Sequence, residues 1–204
     1  MTSWHAVVAR AASLLLRYPD DEVMAALPTV RAAARTLPGQ VADPLLSVVE
    51  HREATPPTPL REEYVRLFDF RRRCCLHLTY YTCGDTRRRG EALVGFAAAY
   101  RRSGLAVADG ELPDYLPAVL DLAAVDEGGA GGAGEGWRLL RDNRVGVDLL
   151  AEALAAERSA YRHAVDAVRR ILPAPRPADL AATAQLAQAG PPAELVGLEP
   201  YGGR

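Results

Sequence analysis

The chain has 204 residues, of which 49% are hydrophobic and 25% charged, so it is long enough for one domain with a substantial core. Its formal net charge of −2 argues against a general nucleic-acid binder, which needs excess positive charge for phosphate contacts. We find no signal peptide, no uncharged run of membrane-spanning length, and no cysteine framework typical of secreted proteins. We therefore expect a cytoplasmic protein that does not insert into membranes.

Apolar residues recur at helical spacing throughout the first half of the chain. Aromatic residues are few, and Ala, Leu and Arg, which favour helix, are abundant. These features predict successive helices whose ends and breaks fall at identifiable residues. The first helix ends at Tyr18-Pro19, the second opens at Asp20 or Asp21 and breaks near Pro28, a short helix opens at Asp43-Pro44, and residues 56–59 form a stiff connector.

The second half of the chain continues the helical pattern, and no segment alternates convincingly between apolar and polar residues. The stretch from Cys74 to Thr82 is ambiguous, and we assign it to helix or irregular structure. We predict an all-α fold, a single helical bundle over residues 1–172, with the following details. A helix begins at about Asp85 and ends at Gly104, another begins at Pro113, residues 126–136 form a mobile Gly-rich linker, two helices follow, and residues 173–204 form a flexible tail.

Three segments of the chain resemble the NarJ family, a branch of the TorD-like maturation chaperones. They are Arg61–Asp69 (REEYVRLFD), Leu76–Gly90 (LHLTYYTCGDTRRRG) and Glu111–Pro117 (ELPDYLP), and their order and spacing match the family. The stretch Arg158–Tyr161 (RSAY) matches as well. The resemblance covers roughly residues 5–172. Family members usually carry His where Tyr115 stands here, so a role that needs an imidazole does not transfer to this position.

The resemblance implies an all-helical chaperone of the TorD/NarJ type that has no catalytic activity and no cofactor of its own. Its implied partner is the N-terminal peptide of the catalytic subunit of respiratory nitrate reductase, which it would hold ready for insertion of the molybdenum cofactor. Cofactor-delivery proteins are further candidate partners. A peptide that folds as an amphipathic helix would lie in a groove between helices, and carboxylates at the rim would steer its basic residues.

The matching segments also supply the candidate residues of that groove. Some have simpler explanations: Phe68 lies at core spacing, and Asp114 follows Pro113 where a helix start would use both. His77 likewise fits a histidine with a local hydrogen bond. Arg89 and Glu91 together fit residues that organise the wall of the groove. The candidates for peptide binding are Tyr64, Phe68, Asp69, His77, Arg89, Glu91, Glu111, Asp114, Tyr115 and Leu116.

Other functions have weaker support in the sequence. Cys74, Cys75, His77 and Cys83 lack the spacing of a zinc site, so we predict no metal. The Arg71–Arg73 and Arg87–Arg89 triplets leave open a helical nucleic-acid-binding regulator, which salt-sensitive heparin retention would reveal. A TorD-like chaperone for another molybdoenzyme also stays open. No phosphate-binding Gly loop or catalytic triad is present in the sequence, so we expect no enzyme.

Two features of the chain concern its assembly and regulation. The Gly-rich linker leaves both a monomer and a domain-swapped dimer open. A second hypothesis is that the tail around Leu195, Val196 and Leu198 folds back over the groove and competes with the partner.

Overall fold

The computed structural model describes residues 4–108, 110–125 and 134–192, and the regular structure within them is helical. The only extended pairing in these ranges is a single bridge between His77 and Tyr115. The prediction of an all-α fold is confirmed. The helices are α1 Trp4–Leu16, α2 Asp21–Ala25, α3 Leu27–Ala34, α4 Gly39–Ala54, α5 Pro57–Phe68, α6 Leu78–Cys83, α7 Arg87–Arg102, α8 Leu116–Val125, α9 Glu135–Asp142, α10 Arg144–Ala156, α11 Arg162–Ile171 and α12 Pro177–Ala189, with a 3₁₀ turn at Arg72–Cys74.

Helix α1 is the centre of the bundle. It packs against α3, α4, α8 and α11, and its leucines Leu15 and Leu16 are fully buried. Even its one buried hydroxyl is satisfied, because Ser13 Oγ donates to the Pro117 carbonyl at 2.9 Å. A helix that is apolar on most of its surface has to be covered on several sides, and α1 is.

The break predicted near Pro28 is confirmed. Asp20 caps α2, with its carboxylate accepting from the Val23 N–H at 2.8 Å. The helix stops after Ala25, and Pro28 lies in the first turn of α3, where its missing N–H is not needed.

The predicted start of a helix at Asp43-Pro44 is wrong, because α4 already begins at Gly39 and Pro44 lies inside it. A proline at this point leaves the Gln40 carbonyl without its usual partner four residues on. The guanidinium of Arg170 on α11 donates to that carbonyl instead. A tertiary contact therefore supplies what the local sequence lacks.

Two further boundaries differ from the prediction. Pro57 is the first residue of α5, so most of the expected connector belongs to a helix. Helix α8 begins at Leu116 rather than at Pro113, because Pro113 and Asp114 form a turn before it. The carboxylate of Asp114 serves the beginning of α6 and is not available to α8, as described below.

The Gly-rich segment was expected to extend to residue 136, but its last residues belong to α9. A Cβ on Gly136 would lie 2.3 Å from the Ala123 backbone nitrogen, so this glycine allows α9 to approach α8 closely. Residues 126–133, where the linker was predicted to be mobile, lie outside the described residues.

The segment after Pro173 was expected to be a flexible tail, but residues 177–189 form α12, which packs against α10. Pro177 opens this helix, and the Asp179 carboxylate accepts from the Arg176 N–H at 2.9 Å. The prediction of an unstructured segment is therefore wrong for this part. Leu195, Val196 and Leu198, proposed to cover the groove, lie outside the described residues.

In the described ranges, no helix combines the length and the apolar character that crossing a membrane requires.

Candidate functional site

Two of the matching segments are joined by backbone hydrogen bonds. The Leu78 N–H donates to the Asp114 carbonyl at 3.0 Å, and the Leu116 N–H donates to the Leu76 carbonyl at 2.8 Å. These bonds hold the approach to α6 beside the approach to α8, although almost forty residues separate them. The bridge places His77 and Tyr115 next to each other, with ring centroids 5.6 Å apart.

Asp114 is the buried centre of this junction. Its side chain accepts from His77 Nδ1 at 3.1 Å and from both the N–H, at 3.2 Å, and the hydroxyl of Thr79. Burial acts to raise the pKa of Asp114, but the hydrogen bonds from His77 and Thr79 outweigh it and hold the pKa below its usual value. The carboxylate thus takes the place of a local cap at the start of α6, where the Thr79 N–H has no partner within its own helix.

Because Asp114 is 0% exposed, it cannot touch a docked peptide in this conformation. The prediction that it binds the partner directly is corrected to a positioning role. Leu116 is likewise 0% exposed and belongs to the core, so it does not line a groove.

Tyr64 ties the third matching segment to the same place. Its hydroxyl donates to the Leu16 carbonyl at the end of α1 at 2.9 Å and lies 3.4 Å from the Tyr115 hydroxyl. Its ring packs against Phe68, at 4.6 Å between centroids, and edge-on against Tyr161 at 5.9 Å. Tyr64 and Phe68 are both buried, so they lie beneath the more exposed residues of this region and hold them in place.

Arg52 of α4 belongs to the same buried region, and the sequence analysis did not predict a role for it. It is fully buried and donates to the carbonyls of Leu15, at 2.9 Å, and Arg17, at 2.6 Å. With Tyr64 it satisfies the last carbonyls of α1, which a helix end leaves open. A signal was present: Arg52 falls on the same helical stripe as Val41, Leu45, Val48 and Val49, all of which are buried.

Exposed and half-buried residues above this buried region form what we call the aromatic–acidic surface, which includes two carboxylates. Tyr18 packs edge-on against Tyr64 at 5.5 Å between centroids. Burial raises the pKa of Tyr115, the hydrogen bond with Tyr64 opposes this, and the negative charges of Glu111 and Asp69 act in the same direction as burial. The surface consists of His77, Tyr115, Asp69 and Glu111 with the exposed Tyr18 (41%), Phe70 (77%) and Leu112 (41%).

Arg89 and Glu91, expected together at a groove wall, form no ion pair with each other, and Arg89 instead lies near two aspartates. Arg89 lies 3.5 Å from an Asp85 oxygen and 3.9 Å from an Asp114 oxygen. In a helix, residues two apart do not face each other, and Glu91 is exposed on α7 without an ion pair to a described residue. Arg89 therefore connects α7 to the buried junction, whereas Glu91 is not brought to the aromatic–acidic surface by any contact.

The cysteines do not form a metal-binding arrangement. Cys74 is buried, Cys75 and Cys83 are half-buried, and all three are free. Burial raises the pKa of Cys74 to about 11 and also raises that of Cys75, so these thiols keep their protons at neutral pH. Within the described ranges, no group of three or more His, Cys, Asp and Glu side chains is placed to hold a metal ion.

Comparison with known proteins identifies relatives that match these elements. Residues 21–167 match the family described as nitrate reductase delta subunit. The nitrate reductase-like protein NarX of Mycobacterium tuberculosis (strain H37Rv) is 39% identical over 167 residues, which are 82% of this chain and 24% of NarX. The probable nitrate reductase molybdenum cofactor assembly chaperone NarJ of Bacillus subtilis (strain 168) is 38% identical over 118 residues, 57% of this chain and 64% of that protein.

A third relative gives the same result. The nitrate reductase molybdenum cofactor assembly chaperone NarJ of Escherichia coli (strain K12) is 34% identical over 119 residues, 55% of this chain and 49% of that protein. The chain thus spans less than two thirds of the length of each of these three relatives. The family match covers α2 through most of α11 and includes all three segments that meet at the junction. The resemblance stated from the sequence is confirmed, and the chain belongs to the nitrate reductase delta subunit family.

Proposed function

We propose that this protein is a molybdenum cofactor assembly chaperone that binds the N-terminal peptide of the catalytic subunit of respiratory nitrate reductase. It would hold that subunit competent for cofactor insertion and for assembly of the complex. The proposal assigns no catalytic step and no bound cofactor to the chain. It extends to this protein what the names of its relatives in B. subtilis and E. coli state for them.

The observation that carries the proposal is the convergence of the three matching segments on the aromatic–acidic surface. The buried side chains Tyr64 and Asp114 fix the positions of Tyr115 and His77, so the surface is held ready before a partner arrives. Preorganisation lowers the free-energy cost of binding. The surface therefore suits the binding of an extended or helical peptide better than it suits catalysis, since no activated nucleophile or metal site is part of it.

The character of the surface indicates the chemistry of the peptide. Phe70, Leu112 and Tyr18 offer exposed apolar area, which an amphipathic helix would cover. Asp69 and Glu111 form no ion pair with a described residue, so their charges are available to a basic partner. The expected ligand is a short segment with apolar residues and at least one Arg or Lys.

Calorimetric titration of the full chain with the N-terminal peptide of the nitrate reductase catalytic subunit encoded in the same genome tests this proposal. We expect saturable binding that the double change Asp69→Ala and Glu111→Ala weakens about tenfold, because two charge pairs at a partly exposed surface are lost. Asp43→Ala removes an exposed carboxylate near the beginning of α4, which is not part of the aromatic–acidic surface. This variant serves as the control and should bind normally.

The alternatives give different results in the same experiment. Binding only to the leader peptide of another molybdoenzyme would assign the chain to a different client. Absence of binding to either peptide, with heparin retention that falls steeply with salt, would favour the nucleic-acid-binding alternative and contradict the proposal.

A further inference from the structure

A second feature adjoins the aromatic–acidic surface and has no assigned role. A cavity of about 250 Å³ lies between the end of α1, the loop that follows α7, and α8. Its walls are mainly apolar, with Leu105 and Val125 exposed at its edge. Glu111 belongs both to this cavity and to the aromatic–acidic surface, so the two are continuous.

One residue that lines the cavity carries an unsatisfied polar group. Tyr100 is 4% exposed, and its hydroxyl has no hydrogen-bond partner among the described residues. Burial raises the pKa of Tyr100, and the carboxylates of Asp121 and Glu111 act in the same direction, so the hydroxyl keeps its proton. A buried hydroxyl without a partner is destabilising, and such groups in native proteins are commonly satisfied by a ligand or a water molecule.

The charges around the cavity restrict what can satisfy that hydroxyl. The Asp121 carboxylate faces two guanidiniums, those of Arg17 at 2.6 Å and Arg10 at 2.5 Å, and the Nε of Arg17 is buried without a hydrogen-bond partner among the described residues. Glu111 has no ion-pair partner among the described residues. The two unpaired donors, the Tyr100 hydroxyl and the Arg17 Nε, favour a hydrogen-bond acceptor, and Glu111 favours a positive charge close to it. The volume of the cavity lies below the roughly 300–1,000 Å³ of small-molecule sites, and fits one large apolar side chain better than a cofactor.

We propose that this cavity is the anchor subsite for the partner peptide. One apolar side chain of the peptide enters it, a backbone carbonyl of the peptide accepts a hydrogen bond from Tyr100, and a neighbouring basic residue pairs with Glu111. This inference rests on the proposed function and specifies which part of the peptide decides affinity.

The test is calorimetric titration of the full chain and its variants with the same N-terminal peptide. Tyr100→Phe removes only the unpaired hydroxyl, so the free protein should be as stable as the unsubstituted chain or more stable, whereas its affinity falls about 3- to 10-fold. A residue that merely supported the fold would not show stability and affinity moving in opposite directions. Ala118→Leu occupies part of the cavity and should weaken binding about tenfold, because the peptide's apolar side chain is kept out.

Thr183→Val is the matched control, because Thr183 on α12 also has a buried hydroxyl without a partner but does not line this cavity. Its affinity for the peptide should be unchanged. If the unsubstituted chain binds and Tyr100→Phe binds equally well, the subsite inference is overturned and the proposed function stands. If the unsubstituted chain does not bind, both are overturned. Should Tyr100→Phe fail to fold, Ala118→Leu decides by the same criterion.

Discussion

Two buried carboxylates, Asp114 and Asp148, join different parts of the molecule through different kinds of partner. Asp148 on α10 lies between Arg144 Nε, at 2.9 Å, and Arg169 Nε of α11, at 2.6 Å. Asp114 is held by the side chain of His77 and by two groups of Thr79, and its nearest guanidinium, that of Arg89, is 3.9 Å away. One junction uses permanent cations at close range, and the other relies chiefly on hydrogen bonds.

The difference separates stability from binding. The α10–α11 junction contains only permanently charged donors, and Arg144 continues from it to the Pro173 carbonyl at 2.7 Å, on the side that leads to α12. The Asp114 junction lies directly beneath His77 and Tyr115 of the aromatic–acidic surface. We infer that disturbing Asp148 affects folding alone, whereas disturbing Asp114 affects both folding and recognition.

The largest effect is expected for Asp148→Ala. Removal of this carboxylate leaves Arg144 buried without its counter-charge, and breaking such a pair costs about 3–5 kcal/mol. Urea denaturation should show this loss in the free energy of unfolding, while the folded fraction binds the peptide normally. A loss below about 1 kcal/mol would mean that the pair is not important for the fold.

A smaller effect on stability, accompanied by an effect on binding, is expected for Asp114→Asn. The amide keeps the shape but places its NH2 donor either against the two donors of Thr79 or against the ring of His77, and hydrogen bonds to a charged group contribute about 1.5–3 kcal/mol each. Denaturation and calorimetry of the same preparation should show lower stability and weaker peptide binding together. Unchanged affinity in the folded variant would remove the distinction between the two junctions.

The smallest effect is the acid dependence of stability. The folded-state pKa of Asp114 is below the ordinary value of 3.8, so its ionised form stabilises the fold at higher pH, and this contribution is lost as the pH falls through the folded pKa. The free energy of unfolding should therefore fall less steeply below about pH 4 in Asp114→Asn than in the unsubstituted chain. Glu135, whose pKa is lowered to about 2 by Arg102 and Arg138, contributes equally to both curves. Superimposable curves would contradict the role of Asp114.

These two junctions also show what the sequence could and could not predict. Helical periodicity located most of the bundle, because burying one face of a helix is a local pattern. It failed at Pro44 and at the start of α8, where Arg170 and the α6–α8 junction override local signals. The amphipathic pattern of α12 is weak, and few of its residues are buried, so its signals were the Ala-rich composition, the proline start and the acidic first turn.

For the site, the sequence identified the correct segments but not the role of each residue. Tyr115, His77, Asp69 and Glu111 belong to the aromatic–acidic surface, and their contact with a partner stays a prediction. Asp114 and Leu116 were predicted with them and are buried, because two adjacent residues of one segment can point to opposite sides of a backbone bridge. Exposure of this kind depends on which distant segment pairs with which, and spacing along the chain does not contain that information.

Photo-crosslinking at the aromatic–acidic surface tests the central claim most directly. Leu112 would be replaced by photoreactive benzoylphenylalanine, with the same replacement at Leu180 of α12, which is also exposed, as the control. Irradiation with the intact catalytic subunit should crosslink the N-terminal segment of that subunit to position 112 and not to position 180. Crosslinks of that segment at position 180 and none at position 112 would contradict the account.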